Sequence, residues 1–77
     1  MENEKLTLNI KNNIVKCCLN KGGRIFVFKG QVDNVYERAK KAYKKTSMFT
    51  KEHIVRAYAE RAVRIQFLKC ETYRLIK

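Results

Sequence analysis

The 77-residue chain contains no proline and no tryptophan, and only three of its residues are glycine. Disordered basic segments are rich in proline, glycine and serine and poor in apolar residues, whereas 45% of this sequence is hydrophobic. A chain of this length buries only about 60% of the surface that its unfolded state exposes. We therefore expect one compact domain over residues 1–77, with a small core that a homodimer or a bound partner would stabilise.

Long apolar runs and cysteine motifs are also missing. Nothing approaches the roughly 18 consecutive apolar residues of a membrane-spanning helix, and the opening MENEKLTLNI lacks the basic start and apolar run of a signal peptide. The three cysteines have neither the spacing of a disulfide framework nor a CxxC motif. Cys17 and Cys18 point to opposite faces if they lie on a strand, so they chelate one ion poorly. These absences predict a cytoplasmic protein with reduced thiols, no metal site and no cofactor.

Acidic residues are scarce: seven Asp and Glu stand against eighteen Lys and Arg, which gives a net charge of +11. Charge of this sign attracts nucleic acid, acidic protein surfaces and anionic membranes. The densest cluster is RAKKAYKK at residues 38–45, with five cations in eight residues. Like charges three or four residues apart on a helix repel by about 0.2–0.5 kcal/mol per pair, so the cluster indicates an anionic partner. The competing interpretation is an ordinary solvent-exposed helix face.

The first thirty residues carry the patterns of strands. KLTLNI at residues 5–10 alternates between apolar and polar side chains, which is the period of a half-buried strand. RIFVF at 24–28 is apolar on both faces, which is typical of a strand in the middle of a sheet or beneath a helix. Between them IVKCCL at 14–19 is flanked by asparagine and glycine turn residues. The pattern predicts an antiparallel β-meander over about 4–29, and the competing interpretation is a short helix at 12–20.

After the meander the apolar period changes to that of a helix. The first predicted helix spans about 32–45, with Asp33 near its start, where a carboxylate is favourable. The second spans about 51–66, with Thr50 as its N-cap. Two amphipathic helices packed on a small meander make an α+β fold. The predicted buried residues are Val32, Val35, Tyr36, Ala39, Ala42 and Tyr43 in the first helix, and Ile54, Val55, Tyr58, Ala62 and Ile65 in the second, with Ala59 at the margin.

The C-terminal segment allows two interpretations. Phe67 falls on the polar side of the second helix, which predicts that the helix ends or bends near residue 66. Residues 67–77 then form either a C-terminal strand that rejoins the sheet or an extension of the helix.

The polar faces of the two helices hold the candidate binding residues. Arginine can grip a phosphate with two parallel hydrogen bonds, whereas lysine acts as a point charge. The candidate nucleic-acid-binding residues are Arg38, Lys40, Lys41, Lys44 and Lys45 in the first helix and Arg56, Arg61 and Arg64 in the second.

These patterns predict a small basic regulatory protein that binds DNA or RNA by contacting the phosphate backbone. The alternative is a protein-binding effector or inhibitor that docks on an acidic surface of a larger intracellular complex, with Met48 and Phe49 as its anchor. Membrane attachment is not expected, because the apolar helix faces are needed for the core. An enzyme is not expected either, since no carboxylate pair, activated nucleophile or phosphate-binding glycine loop appears. A small basic ribonuclease, which works with Arg, Lys, Tyr and His, is the one enzyme class that fits this composition.

Overall fold

The computed structural model describes residues 4–44 and 48–76, with side chains up to Cys70. The elements in chain order are β1 (Lys5–Lys11), β2 (Ile14–Lys21), β3 (Arg24–Gln31), α1 (Val32–Ala42) and α2 (Lys51–Ile76). The three strands form one antiparallel sheet in the order β1-β2-β3. The predicted α+β fold with an N-terminal meander is confirmed, and residues 12–20 form a turn and a strand, not a short helix.

Two-residue turns close both hairpins and fix their register. The turn residues have left-handed backbone, with φ of 53° at Asn12, 61° at Asn13, 61° at Gly22 and 75° at Gly23. Positive φ at both central positions matches the right-handed twist of paired strands, and asparagine and glycine adopt it at the lowest cost. The resulting register places Leu8 opposite Cys17 and Cys17 opposite Phe28.

This register gathers most of the apolar side chains of the strands on the face that the helices cover. Val15, Cys17 and Leu19 of β2 are fully buried there. Phe26 and Phe28 of the neighbouring strand are half-buried and pack against the same core. The middle strand therefore contributes the fully buried side chains of the core, and the two outer strands contribute partly buried ones.

A glycine at the end of β3 allows α1 to pack directly against the sheet. A Cβ atom on Gly30 would lie 3.0 Å from Cγ2 of Val35, which is a buried residue of α1. The first residue of the helix is fixed as well, because the backbone N–H of Val32 donates to the carbonyl oxygen of Asn13 at 2.8 Å. The start of α1 is thus held at the β1–β2 turn.

The first helix ends earlier than the sequence predicted. It stops at Ala42, and Tyr43 is extended, with φ of −109° and ψ of 129°. The ring of Tyr43 packs edge-to-face against Tyr58, with 6.3 Å between the ring centroids. Lys44 therefore lies beyond the helix, and the predicted boundary near residue 45 was wrong.

The second helix is longer than predicted. It continues through Ile76, so the expected end near residue 66 was wrong. The described residues form no C-terminal strand, and the alternative, a helix extension, is confirmed. Phe67 packs edge-to-face on Phe26 at 5.7 Å, because the buried stripe is rotated from the predicted one. The fully buried residues of this stripe are Val55, Ala59 and Val63.

The two helices lie side by side and run in the same direction. Asp33 at the start of α1 is ion-paired with Lys51 at the start of α2, while Tyr43 after the end of α1 reaches Tyr58. With 11 and 26 residues, the helices are about 16 and 39 Å long at 1.5 Å per residue. The first helix therefore covers only the first part of the second. Neither described helix has an apolar stretch long enough to cross a membrane.

Candidate nucleic-acid interface

Carboxylates compensate only part of the positive charge. Five acidic side chains are described, and four of them form ion pairs, with Lys21, Lys40, Lys51, Arg56 and Arg64. The fifth, Glu60, is half-buried. Within the described part of the chain, the cations without a carboxylate partner are Lys5, Lys11, Lys16, Lys29, Arg38, Lys41, Lys44, Arg61 and Lys69. They fall into three surfaces.

The first surface, which we call the helix surface, consists of Arg38, Lys41 and Lys44. All three side chains are exposed. Arg38 and Lys41 are three residues apart on α1, where side chains are neighbours. The repulsion that helical spacing predicted between Lys44 and the earlier lysines does not apply, because Lys44 follows the helix end. Lys45 lies outside the described residues.

Lys40 is engaged within the protein, unlike the helix surface. Its Nζ lies 2.9 Å from a carboxylate oxygen of Glu37 and 4.9 Å from the centroid of the Tyr36 ring. The hydrogen bond to Glu37 raises the pKa of Lys40. Lys51 approaches the same ring at 5.3 Å. Tyr36 is half-buried, as its place in the apolar arc predicted, and Lys40 is less available to phosphate than its neighbours.

The three arginines of α2 do not form one patch. Arg56 pairs with the carboxylate one turn earlier at 3.1 Å, and Arg64 pairs with Glu4, next to β1, at 2.9 Å. The guanidinium of Arg61 lies instead over the ring of Tyr43, 5.7 Å from its centroid. Of the predicted arginines in α2, only Arg61 is thus placed beside the end of α1 and has no described carboxylate partner.

The face of the sheet opposite the helices is a second basic surface. Lys16 of β2 and Lys29 of β3 are directly paired across the strands, and Lys11 lies diagonally from Lys16. Like charges directly opposite one another destabilise a sheet, and the three described strands contribute no acidic residue to this face. We call it the sheet surface: Lys5, Thr7, Asn9, Lys11, Ile14, Lys16, Cys18, Asn20, Ile25, Val27, Lys29 and Gln31.

The candidate site residues predicted from the sequence do not include the sheet surface. The period of two places Lys16 and Lys29 on one face of their own strands, but only the register shows that they are neighbours. The presence of apolar residues on both faces of RIFVF also needs an explanation other than a place in the middle of the sheet. β3 is an edge strand, and Ile25 and Val27 are 68% and 44% exposed on its uncovered face. The sheet surface therefore carries Lys11, Lys16 and Lys29 toward one end, and the exposed apolar side chains together with Lys5 toward the other.

The third surface is a groove of about 400 Å³ between β3, the end of α1 and α2. Arg61 and Lys69 are the two cations in its wall. Ile65, which was predicted to be buried, is 38% exposed in it. This prediction was wrong because α1 ends at Ala42 and leaves the middle of α2 uncovered. The groove is lined by Phe28, Ala42, Tyr58, Arg61, Ala62, Ile65, Gln66 and Lys69.

The predicted protein anchor lies at the start of α2. Met48 is 85% exposed and Phe49 is 54% exposed. The Phe49 ring stacks on the His53 ring, with 5.0 Å between centroids and an interplanar angle of 13°. The hydroxyl of Thr50 accepts a hydrogen bond from the backbone N–H of His53 at 3.1 Å, which confirms the predicted N-cap. Phe49 is thus held by the first turn of the helix, and Met48 projects into solvent.

Comparison with protein-family models, with curated proteins and with solved structures finds no match to this chain. The described residues contain no cluster of three His, Cys, Asp or Glu side chains that could hold a metal ion. The helix surface, the sheet surface and the groove are therefore the candidate functional sites of the described residues.

Proposed function

We propose that the protein is a small regulatory protein that binds nucleic acid, and that the helix surface contacts the phosphate backbone. The observation that carries the proposal is the state of Arg38, Lys41 and Lys44: all three are exposed and have no carboxylate partner among the described residues. The exposed carboxylates that the structure describes are already paired elsewhere. A phosphate backbone would supply the missing negative charge.

Arg61 extends this interface toward α2. Its guanidinium packs on Tyr43, the residue directly before Lys44, so it lies close to the end of the helix surface. A planar guanidinium can bind a phosphate through two parallel hydrogen bonds. Contacts of this kind hold a nucleic acid without reading its sequence, so we expect similar affinity for different sequences of one strand type.

The helix surface and the sheet surface lie on opposite sides of a molecule that measures 41 × 25 × 20 Å. A straight duplex can contact only one of them at a time. This geometry provides a matched experiment, because three cations can be removed from either side. Both triple-alanine variants lower the net charge from +11 to +8, so any difference between them reflects the position of the charges.

The test measures the affinity of both variants for duplex DNA, structured RNA and single strands. Changing Arg38, Lys41 and Lys44 to alanine should weaken binding roughly ten- to hundredfold, at about 0.5–1 kcal/mol for each exposed charge contact. Changing Lys11, Lys16 and Lys29 should have a much smaller effect. Equal losses in the two variants, or a larger loss in the second, would show that the helix surface is not the binding site.

A second candidate function, docking on an acidic surface of a larger intracellular complex, is favoured by the sheet surface. Exposed Ile25 and Val27 lie on the same face as unpaired lysines, a combination suited to a partner with apolar and acidic groups. Met48, which lies before α2 and away from β3, would add a further apolar contact with the partner. Stoichiometric capture of one partner from nuclease-treated lysate, lost on Ile25→Ser and Val27→Ser together, would support this function. Capture that is unaffected by the double substitution would argue against it.

A further inference from the structure

The groove exists because the two helices differ in length. α1 stops at Ala42 while α2 continues, so the side of α2 that α1 covers near residue 54 is open near residue 65. The space lies where further turns of α1 would have packed. At about 400 Å³, it is within the range of about 300–1,000 Å³ that is typical of small-molecule pockets.

The floor of the groove is aromatic and apolar. Phe28 and Tyr58 meet edge-to-face there, with 6.0 Å between ring centroids and an interplanar angle of 65°. Ala42 and Ala62 are the small residues that leave the space open, and Ile65 forms part of the wall. Such a lining favours a flat apolar group that can pack against aromatic rings and methyl groups.

The polar groups of the groove select for negative charge. Arg61 and Lys69 are eight residues apart on α2, which is about 12 Å along the helix axis at 1.5 Å per residue. Neither has a carboxylate partner among the described residues, and none of the lining residues is acidic. The Gln66 amide between them can both donate and accept hydrogen bonds. A ligand that satisfies this lining has a flat ring, polar ring edges and phosphate groups attached to it.

We propose that the groove binds an unpaired base of a single-stranded nucleic acid, with neighbouring phosphates on Arg61 and Lys69. This inference rests on the proposed nucleic-acid binding and specifies its substrate as single-stranded. A base inside a duplex is stacked between its neighbours and cannot enter the groove, whereas a base of a single strand can stack on aromatic side chains. Arg61 connects the groove to the helix surface, so one strand can contact both.

A matched pair of substitutions on α2 tests the groove without changing the net charge. Ala62→Leu fills the groove, and Ala57→Leu makes the same change at an exposed position outside the groove. Because stacking of one base contributes about 1–3 kcal/mol, Ala62→Leu should weaken single-strand binding roughly tenfold. Duplex affinity should stay unchanged in both variants, and Ala57→Leu should bind single strands like the unmodified protein. Unchanged single-strand affinity in Ala62→Leu would overturn the inference.

A second measurement does not depend on any variant. The unmodified protein is titrated with a short single strand, with the same strand lacking its bases, and with a free nucleoside monophosphate. The inference predicts roughly tenfold weaker binding of the abasic strand and much weaker binding of the mononucleotide. Equal affinity for the abasic strand would overturn the inference and leave backbone binding intact. A mononucleotide that binds as tightly as the strand would overturn the single-strand assignment. If the protein binds no nucleic acid at all, the proposed function is overturned as well.

Discussion

Adjacent residues of β2 have opposite environments because a strand alternates its side chains between two faces. Cys17 is fully buried beneath α2, whereas Cys18 lies on the sheet surface. Burial raises the pKa of the Cys17 thiol, and the nearby charge of Glu60 raises it further. The sequence predicted that the two side chains point to opposite faces of a strand, but it predicted buried thiols and did not distinguish the covered face from the exposed one. Their reactivity should differ accordingly, because the thiolate is the reactive form.

We predict that an alkylating reagent modifies Cys18 in the folded protein and modifies Cys17 only after unfolding. Tandem mass spectrometry assigns the label to each position from the fragment ions that separate the two adjacent cysteines. A Cys18→Ser variant provides the control, since its remaining β2 thiol should then resist modification under native conditions. Modification of Cys17 at the rate of Cys18 in the folded protein would contradict the register of β2.

The ion pair between Asp33 and Lys51 links the starts of the two helices. The hydrogen bond from Lys51 and then its charge lower the pKa of Asp33, whose ordinary value is about 3.9. The folded state therefore holds this carboxylate ionised at a pH where the unfolded chain protonates it. The stabilisation is complete above about pH 4 and is lost as the pH falls through the lowered pKa.

Asp33→Asn should consequently reduce the free energy of unfolding at neutral pH. The difference from the unmodified protein should shrink as the pH falls below the ordinary pKa of an aspartate, because both proteins then lack the ion pair. Urea unfolding of both proteins over a range of acidic pH values checks this. A difference that stays constant down to the lowest pH would show that the ion pair does not stabilise the fold.

The secondary structure elements were predictable where local patterns decide them. The strands follow from the alternation of KLTLNI and from the short apolar run RIFVF, and the hairpins follow from asparagine and glycine at positions with positive φ. The helix ends were not predictable, because contacts between distant parts of the chain set them. α1 stops where Tyr43 turns to pack on Tyr58, and α2 continues because Phe67 reaches Phe26. The uncovered position of Ile65 follows from the short α1.

The contact of Phe67 with the sheet makes the extension of α2 testable. Phe67→Ala should reduce the free energy of unfolding by about 2 kcal/mol, roughly half of what a fully buried phenylalanine loses, since this side chain is half-buried. Gln66→Ala, at the exposed neighbouring position, should change it by less than about 0.5 kcal/mol. Chemical denaturation measures both. Similar small effects at the two positions would contradict the packing of α2 on β3 beyond residue 66.

At the scale of the whole molecule, the sequence predicted the exposed cations but not their grouping. Arg38 and Lys41 could be placed on an outer helix face from their spacing, and both are exposed. Arg64 pairs with Glu4, which lies sixty positions away in the sequence. Only the tertiary structure therefore shows that this arginine already has a carboxylate partner. The sheet surface and the groove depend in the same way on strand register and on the relative lengths of the helices.

The salt dependence of binding shows whether phosphate is the partner of the helix surface. For duplex DNA, log K falls with log salt by about 0.9 for each phosphate that the protein neutralises. Changing Arg38, Lys41 and Lys44 to alanine should therefore make the slope less steep by about 2.7, while the matched variant at Lys11, Lys16 and Lys29 keeps the original slope. An unmodified protein whose affinity does not change with salt, or a helix-surface variant with an unchanged slope, would show that the helix surface does not bind phosphate.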